Sequence, residues 1–438
     1  MCALGPPRGA PATALAHADS YYAATATDAP IFPSLEGEAS TEVCVVGGGL
    51  AGLTVALELA KARTPVSLLE ANFVGWGASG RNGGFVSPGY SCSLRTVEQR
   101  LGLDHAKSLH DLAAGGVDYV RETISELNLD KVVVSEGKLL LCRHARTEAL
   151  RREMEERESK FGETLEFWDK QRVRGTLDSP CYFAGIFNPN AFTIHPLRYC
   201  QGLAKGAEEA GAKIYEGSTV ISAAREGQGW LISTAKGQIR CRIIVYAASA
   251  YGLSQKLFPK IQRALLPIAT YMVASESCGI LDEIIGFPGG IGDGRRAGDY
   301  YRRGPENRLL WGGRITTRAA NDRKLARILK SDIARCYPGL KDLKLDYAWS
   351  GLMGYARHLM PVIGEIEPGL WAATAFGGHG LNTTAMAGNL VASGIAKEDR
   401  RWKLFSPFGP RWAGGKLGLV ATQLEYWRLQ ALDRWDER

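Results

Sequence analysis

Glu42–Ala60 reads EVCVVGGGLAGLTVALELA. Val43 to Val46 is an apolar, mostly β-branched run, the composition of a strand buried on both faces of a parallel sheet. Gly47-x-Gly49-x-x-Gly52 follows at once, and Leu50 to Arg63 then reads as a helix with Ala51, Ala56 and Ala60 on one side. A second apolar run, PVSLLE, ends in Glu70, 23 residues after Gly47. Strand, glycine turn, helix, strand and acid is the order of a dinucleotide-binding unit. The first glycine permits a tight turn, the second lets backbone approach a pyrophosphate, and the third lets helix and strand pack closely. The helix start at Leu50 and Ala51 offers amides and a positive dipole end to phosphates. Glu70, followed by Ala71, stands where an acid accepts from a ribose hydroxyl. An acid there argues against a 2′-phosphate, and so against NADP.

The motif alone does not separate NAD from FAD. The next segment, NFVGWGASGRNGGFVSPGY, holds a second glycine loop: Gly75, Gly77, Gly80, Gly83 and Gly84, with Ser79, Arg81 and Asn82 inside it. A nicotinamide domain has no need of such a loop. A flavin domain does, because the chain must wrap a ribityl diphosphate on its way to a distant ring. Arg81 is expected to bring charge to the diphosphate, Gly83–Gly84 to let backbone pass the ring, and Phe85 to cover the ring or join the core.

The bulk composition is that of a globular chain: 438 residues, 45% hydrophobic and 23% charged, long enough for two lobes. No apolar run reaches the length of a membrane-spanning helix. The first twenty or so residues lack a signal-peptide core and read as a loose leader. Nine cysteines without a C-x-x-C pair, and seven histidines without ligand spacing, argue against a disulfide framework or a metal site. They point instead to a reducing cytoplasm. The net charge of +7 raises nucleic acid as a partner. No basic block interleaved with aromatics supports that, and a mildly basic enzyme taking anionic ligands is the simpler reading. RTEALRREMEERESKFGE alternates sign as a solvated helix does.

Together these stretches resemble the D-amino-acid-oxidase superfamily of FAD enzymes, in the glycine/sarcosine oxidase-like branch, and GASGRNGG is similar to the gamma-glutamylputrescine oxidases. FTIHPLRYC…RIIVYAASAYG resembles that family's second flavin segment: a helix over Pro196 to Ala210, then a strand running to Val220, whose backbone meets the adenine in such folds. Ala247-Ala248-Ser249-Ala250 departs mildly from the usual Ala-Thr/Asn-Gly/Ala, with Ala248 as the cofactor contact. DYYRRGPENRLLWGGR resembles the substrate hairpin, with Tyr301 and Arg303 as candidate wall and carboxylate clamp, or Arg302, since neighbours on a strand face opposite ways. Pro361-Val362-Ile363-Gly364 matches Pro-x-Ile-Gly, with His358 just before it as a flavin-facing candidate or a packing residue. FGGHGLNTTAMAGNLVASGIA resembles the turn and helix that meet the flavin N1–C2=O edge, through Gly377, Gly378, His379, Gly380, Leu381 and Thr383. WSGLMGYARH lacks the cysteine that holds flavin covalently in monomeric sarcosine oxidases, so the resemblance implies non-covalent FAD.

The expected fold is α/β (α+β), a discontinuous Rossmann-like FAD-binding domain (40–87, 194–255, 355–397) plus a substrate domain on a mixed or antiparallel sheet (88–193, 256–354). Residues 1–39 form a leader and 398–438 a helical tail packed on the body. The resemblance implies an FAD-dependent amine or amino-acid oxidase. Hydride passes from a CH–NH carbon to flavin N5, the imine hydrolyses, and molecular oxygen is reduced to peroxide. The alternatives are a dehydrogenase on the same fold with a non-oxygen acceptor, acting on a D-amino acid or sarcosine-like substrate, and, remotely, a tRNA-binding flavoprotein module.

Overall fold

The computed structural model describes residues 16–317 and 322–437. Val43–Val46 is fully buried and pairs in parallel with Val66–Leu69 on one side and Ile243–Tyr246 on the other. That placement accounts for its unbroken apolar composition. The whole six-stranded sheet runs Val362–Glu367, Leu370–Thr374, Ile243–Tyr246, Val43–Val46, Val66–Leu69, Lys213–Tyr215, and only its first pair is antiparallel. The helix Leu50–Lys61 packs against the helices Pro196–Glu209 and Gly380–Ala396. Gly388 of the last helix sits so close to Thr54 that a Cβ there would come within 2.5 Å of the threonine Cβ, so only a small residue allows this crossing.

A four-stranded sheet (Gly37–Ser40, Gly237–Cys241, Gly229–Ser233, Ser222–Glu226) caps the nucleotide domain. The substrate domain is built on a large mixed sheet: Leu345–Tyr355, Leu266–Ser275, Arg308–Thr316, Tyr300–Gly304, Gly290–Asp293, Val133–Cys142, Ala184–Ile194 and Phe85–Val86. One face of this sheet buries Leu139, Ile291, Tyr301 and Trp311 with Leu329 and Ile333 of the helix Asp322–Cys336. Its other face looks toward the nucleotide domain.

Two sequence expectations need correction. The strand expected to reach Val220 ends at Tyr215, because Gly217 and Ser218 donate to Asn72 and Glu70 carbonyls and pull the chain across the end of the neighbouring strand. Val220 is buried beyond that crossing. Residues 20–39, grouped with the leader, are folded onto the body. Tyr22 is fully buried edge-on to Trp349 and His195, and Gly37–Ser40 pairs with Gly237–Arg240.

The tail helix Gly415–Asp436 packs on the body. Gln423 accepts from the Thr317 amide, and Asp433 accepts from the amides of Arg296 and Ala297. Its outer side exposes Leu417, Val420 and Leu424. Among the described residues no helix is long and apolar enough to cross a membrane, and no cluster of metal-ligating side chains occurs.

Candidate active site

Five parallel strands of the six-stranded sheet end on one edge, so the residues that follow them converge there: Gly47, Glu70, Glu216, Ala247 and Ala375. This is the crevice where open α/β sheets bind ligands. Gly47 turns the chain at φ +115°, a conformation that a side chain would strain, and a Cβ on it would stand 2.8 Å from the Ala248 nitrogen. Sequence-distant Ala248 is thereby seated on the glycine turn. The Glu70 carboxylate accepts from the Gly48 amide at 2.7 Å and the Asn72 amide at 2.8 Å. Burial pushes its pKa above the usual carboxylate value, and the two amides offset only part of that rise. Each oxygen keeps a lone pair for a further donor such as a ribose hydroxyl. Glu216, buried beside it with its carboxylate on the Val74 amide, is a neighbour that sequence reading missed.

The second glycine loop is tied to this turn. Ser79 Oγ accepts from the Leu50 amide at 3.0 Å, so that amide is engaged within the protein. Helix Leu50–Lys61 has Gly49 at its N-cap and no side-chain cap, which leaves its first turn open to an anion. Asn82 donates to the Ala78 and Ser79 carbonyls and accepts from the Gly84 amide, bracing the loop from inside. Arg81 is spent on structure: it donates to the carbonyls of Trp76 and Ser350 and stacks on the Trp76 ring at 4.4 Å.

At the far end of the cleft, helix Gly380–Ala396 begins at His379, which makes no capping hydrogen bond. Its polar first-turn side chains all turn toward carbonyls: Thr383 to His379, Thr384 to Gly380, and Asn382 to Ala113. The amides of that turn therefore stay available to an anion. Gly377 lies against Tyr355, and the Gly378 amide donates to Ser91 Oγ, which fixes the turn before the helix. The His379 ring lies over Gly89. Burial, and secondarily the Lys138 charge, push its pKa down to about 4, so it is neutral at physiological pH.

Register decides which side chains of the substrate sheet face this cleft, and it corrects the expectation for the hairpin. Tyr301 stacks on Trp311 at 4.0 Å and joins Tyr182 and Tyr337 through its hydroxyl, all within the domain core. Arg303 alternates onto that same face. Tyr300 and Arg302 face the glycine loop instead. Tyr300 meets Phe85 edge-on at 5.8 Å, and burial raises its phenol to about 12. Arg302 is buried and donates to the carbonyls of Gly83 and Ile194 and to the Tyr22 hydroxyl. It is a clip between segments. His358 packs on Phe408 and reaches the Gly409 carbonyl, so its ring is engaged with the tail segment.

The arrangement suits an extended dinucleotide: an open helix N-terminus with a ribose-type carboxylate at one end, a braced glycine loop along the middle, and a second open N-terminus at the other. The fold and site define a flavin-type oxidoreductase. A family model described as "FAD dependent oxidoreductase" matches residues 42–393, and the chain belongs to that DAO family. It is 31% identical over 393 residues to "Gamma-glutamylputrescine oxidoreductase" of Escherichia coli, covering 89% of this chain and 92% of that one. It is 30% identical over 426 residues to "Probable oxidoreductase OrdL" of Haemophilus influenzae, covering 96% and 98%. The fold matches glycine oxidase from Geobacillus kaustophilus with TM-score 0.72 at 20% identity, over 85% of this chain and 99% of that one. The protein is therefore an FAD-dependent oxidoreductase acting on amines or amino acids.

Glu70 carries a direct test. Glu70→Ala removes a charged acceptor at the end of its strand and frees the Gly48 and Asn72 amides. A hydrogen bond to a charged group is worth about 1.5–3 kcal/mol, so FAD affinity should fall roughly ten- to a hundredfold, read by quenching of FAD fluorescence. An unchanged Kd would remove the ribose role from Glu70.

Proposed function

We propose that the protein is an oxidase with non-covalent FAD, acting in the cytoplasm on an amine with an acidic far end, gamma-glutamylputrescine being the type, as in polyamine catabolism. One observation carries this reading. The N-terminus of helix Gly380–Ala396, which has no side-chain cap, lies beside Gly89 and the strand Phe85–Val86, at the end of the sheet whose same face bears Tyr300, Lys138 and the small residues Gly290, Gly292 and Gly312. The likeness to the Escherichia coli relative supports the substrate class.

In this reading Gly47, Gly49, Leu50, Ala51, Gly52, Glu70 and Ala71 hold the adenosine diphosphate, with Val220 and Ala248 beside the adenosine. The loop Gly77, Ser79, Gly80, Asn82, Gly83 and Gly84 holds the middle, and Arg81 braces that loop through the Trp76 and Ser350 carbonyls. Gly377, Gly378, His379, Gly380, Leu381 and Thr383 hold the flavin edge. FAD, when bound, supplies the redox chemistry, taking hydride from the carbon beside an amine nitrogen. The open amides at Gly380–Thr383 stabilise negative charge placed against them. Neutral His379 adds no competing cation there. Tyr300 and Phe85 wall the cleft and exclude water, which keeps an amine nitrogen neutral.

The purified yellow protein should bleach anaerobically with gamma-glutamylputrescine and, in air, consume one oxygen and release one peroxide per substrate. Bleaching that persists in air and needs an added quinone or dye for turnover would make it a dehydrogenase. Bleaching by sarcosine or D-amino acids alone would overturn the substrate assignment.

A further inference from the structure

Lys138 is the feature of the cleft that the redox chemistry leaves unused. It lies on the cleft-facing side of the substrate sheet, beside a bulge at Gly137 and directly opposite Asn188. Leu140 and Ile186 share that side, and Ser87 and Pro88 close it from the strand end. Arg157 reaches in from the helix Glu148–Phe161. These residues enclose a cavity of about 50 Å³, room for a group the size of a carboxylate.

The cavity is polar and positive. Lys138 Nζ donates to Ser87 Oγ at 3.0 Å, and among the described residues it has no ion-pair partner. An ammonium has three donors, so two are uncommitted. Arg157 is neutralised by a two-point pair with Glu163 at 2.9 and 2.7 Å, and Glu163 also faces His110 at 3.5 Å. The cavity therefore keeps one uncompensated positive charge, that of Lys138. Burial, then the Arg157 charge, lowers the Lys138 pKa to about 8, so the amine is still mostly protonated at neutral pH. A half-buried ammonium without an ion-pair partner is partly desolvated, and a bound anion would offset that cost.

We propose that Lys138, with Ser87 and Asn188, forms an anion subsite that receives the carboxylate of the substrate and so selects amines carrying one. This rests on the amine-oxidoreductase reading and deepens it. The site adjoins the reacting end of the cleft: Pro88, which lines the cavity, is followed by Gly89, against which the His379 ring lies. Lys138 is here a specificity-determining residue that takes no part in hydride transfer. Arg157 and Glu163 form a neutral wall that holds the cavity open.

The test is equilibrium binding to the FAD-loaded enzyme, followed by calorimetry and by perturbation of the flavin spectrum, with glutarate, neutral glutaramide and inorganic phosphate as probes. Wild type should bind glutarate at least tenfold more tightly than glutaramide, with phosphate failing to compete. Lys138→Met should weaken glutarate at least tenfold, leave glutaramide unchanged and keep its FAD, and Lys138→Arg should restore most of the glutarate affinity. Glutarate binding within twofold of wild type in Lys138→Met, no preference for glutarate over glutaramide, or phosphate competing equally would each overturn the proposal. If Lys138→Met does not fold, Ser87→Ala, which takes away the hydroxyl that aims the ammonium, must still weaken glutarate at least threefold for the proposal to stand. Failure of the amine reading looks different: glutarate would bind through Lys138 while no amine reduces the flavin.

Discussion

Replacing Gly52 by alanine should cost the protein both its cofactor and much of its stability. A Cβ at Gly52 would stand inside the van der Waals envelope of the Gly47 carbonyl oxygen and 3.2 Å from the Val45 side chain. The obstructing oxygen is backbone, so no rotamer relieves the overlap. Helix Leu50–Lys61 must lift off its strand, which spoils the turn at Gly47 and the open first turn of the helix together. Overpacking of this kind costs about 3 kcal/mol, and FAD affinity should fall at least a hundredfold. Thermal melts with and without FAD would check both parts. The added stability that FAD gives the wild type should be absent from Gly52→Ala. A variant that melts and binds FAD like wild type would contradict the packing described above.

Arg302→Met should give the second large effect, chiefly on stability. The methionine keeps part of the apolar stem and loses every donor. The carbonyls of Gly83 and Ile194 and the hydroxyl of Tyr22 would then be left buried without that partner. Each unsatisfied buried group costs about 1–3 kcal/mol, so a total loss of about 4 kcal/mol and a fall in Tm of roughly 4 °C are expected. FAD affinity should fall with it, because Gly83 belongs to the glycine loop. Arg303→Met is the control. Its guanidinium has a buried Nε without a hydrogen-bond partner, so the same substitution there should cost far less. Equal losses at the two positions would show that Arg302 is not the clip.

The contrast between these arginines marks where sequence reading stopped. DYYRRG has an aromatic and an arginine on either face of the strand, so its alternation is symmetrical and does not say which face meets the cleft. Pairing with Gly290–Asp293 and Arg308–Thr316 decides it, placing Tyr301 over Trp311 in the core and Tyr300 beside Phe85. Lys138 was missed for a related reason. It lies in the run VVVSEGKLLLC, where one lysine beside a glycine looks like any solvated strand residue. The bulge at Gly137 and the loop at Ser87–Pro88 are what enclose it. Arg81 was legible as part of the glycine loop, but its commitment to Trp76 and Ser350 depends on a strand some 270 residues away in sequence.

By itself the sequence determined the flavoprotein class and the strand–turn–helix–strand unit proposed here to hold the nucleotide. Gly47, Gly49, Gly52 and Glu70 lie within one strand–turn–helix–strand unit, where local backbone geometry dictates residue type, so the pattern can be read along the chain. The resemblance already pointed to His379 at the far end of the cleft, and only the tertiary structure decided which side chains gather around it. Tyr300, Lys138, Ser87 and His379 come from four separate segments, and their meeting depends on sheet register and on the docking of two domains. Neither is encoded in the spacing of residues along any one of those segments.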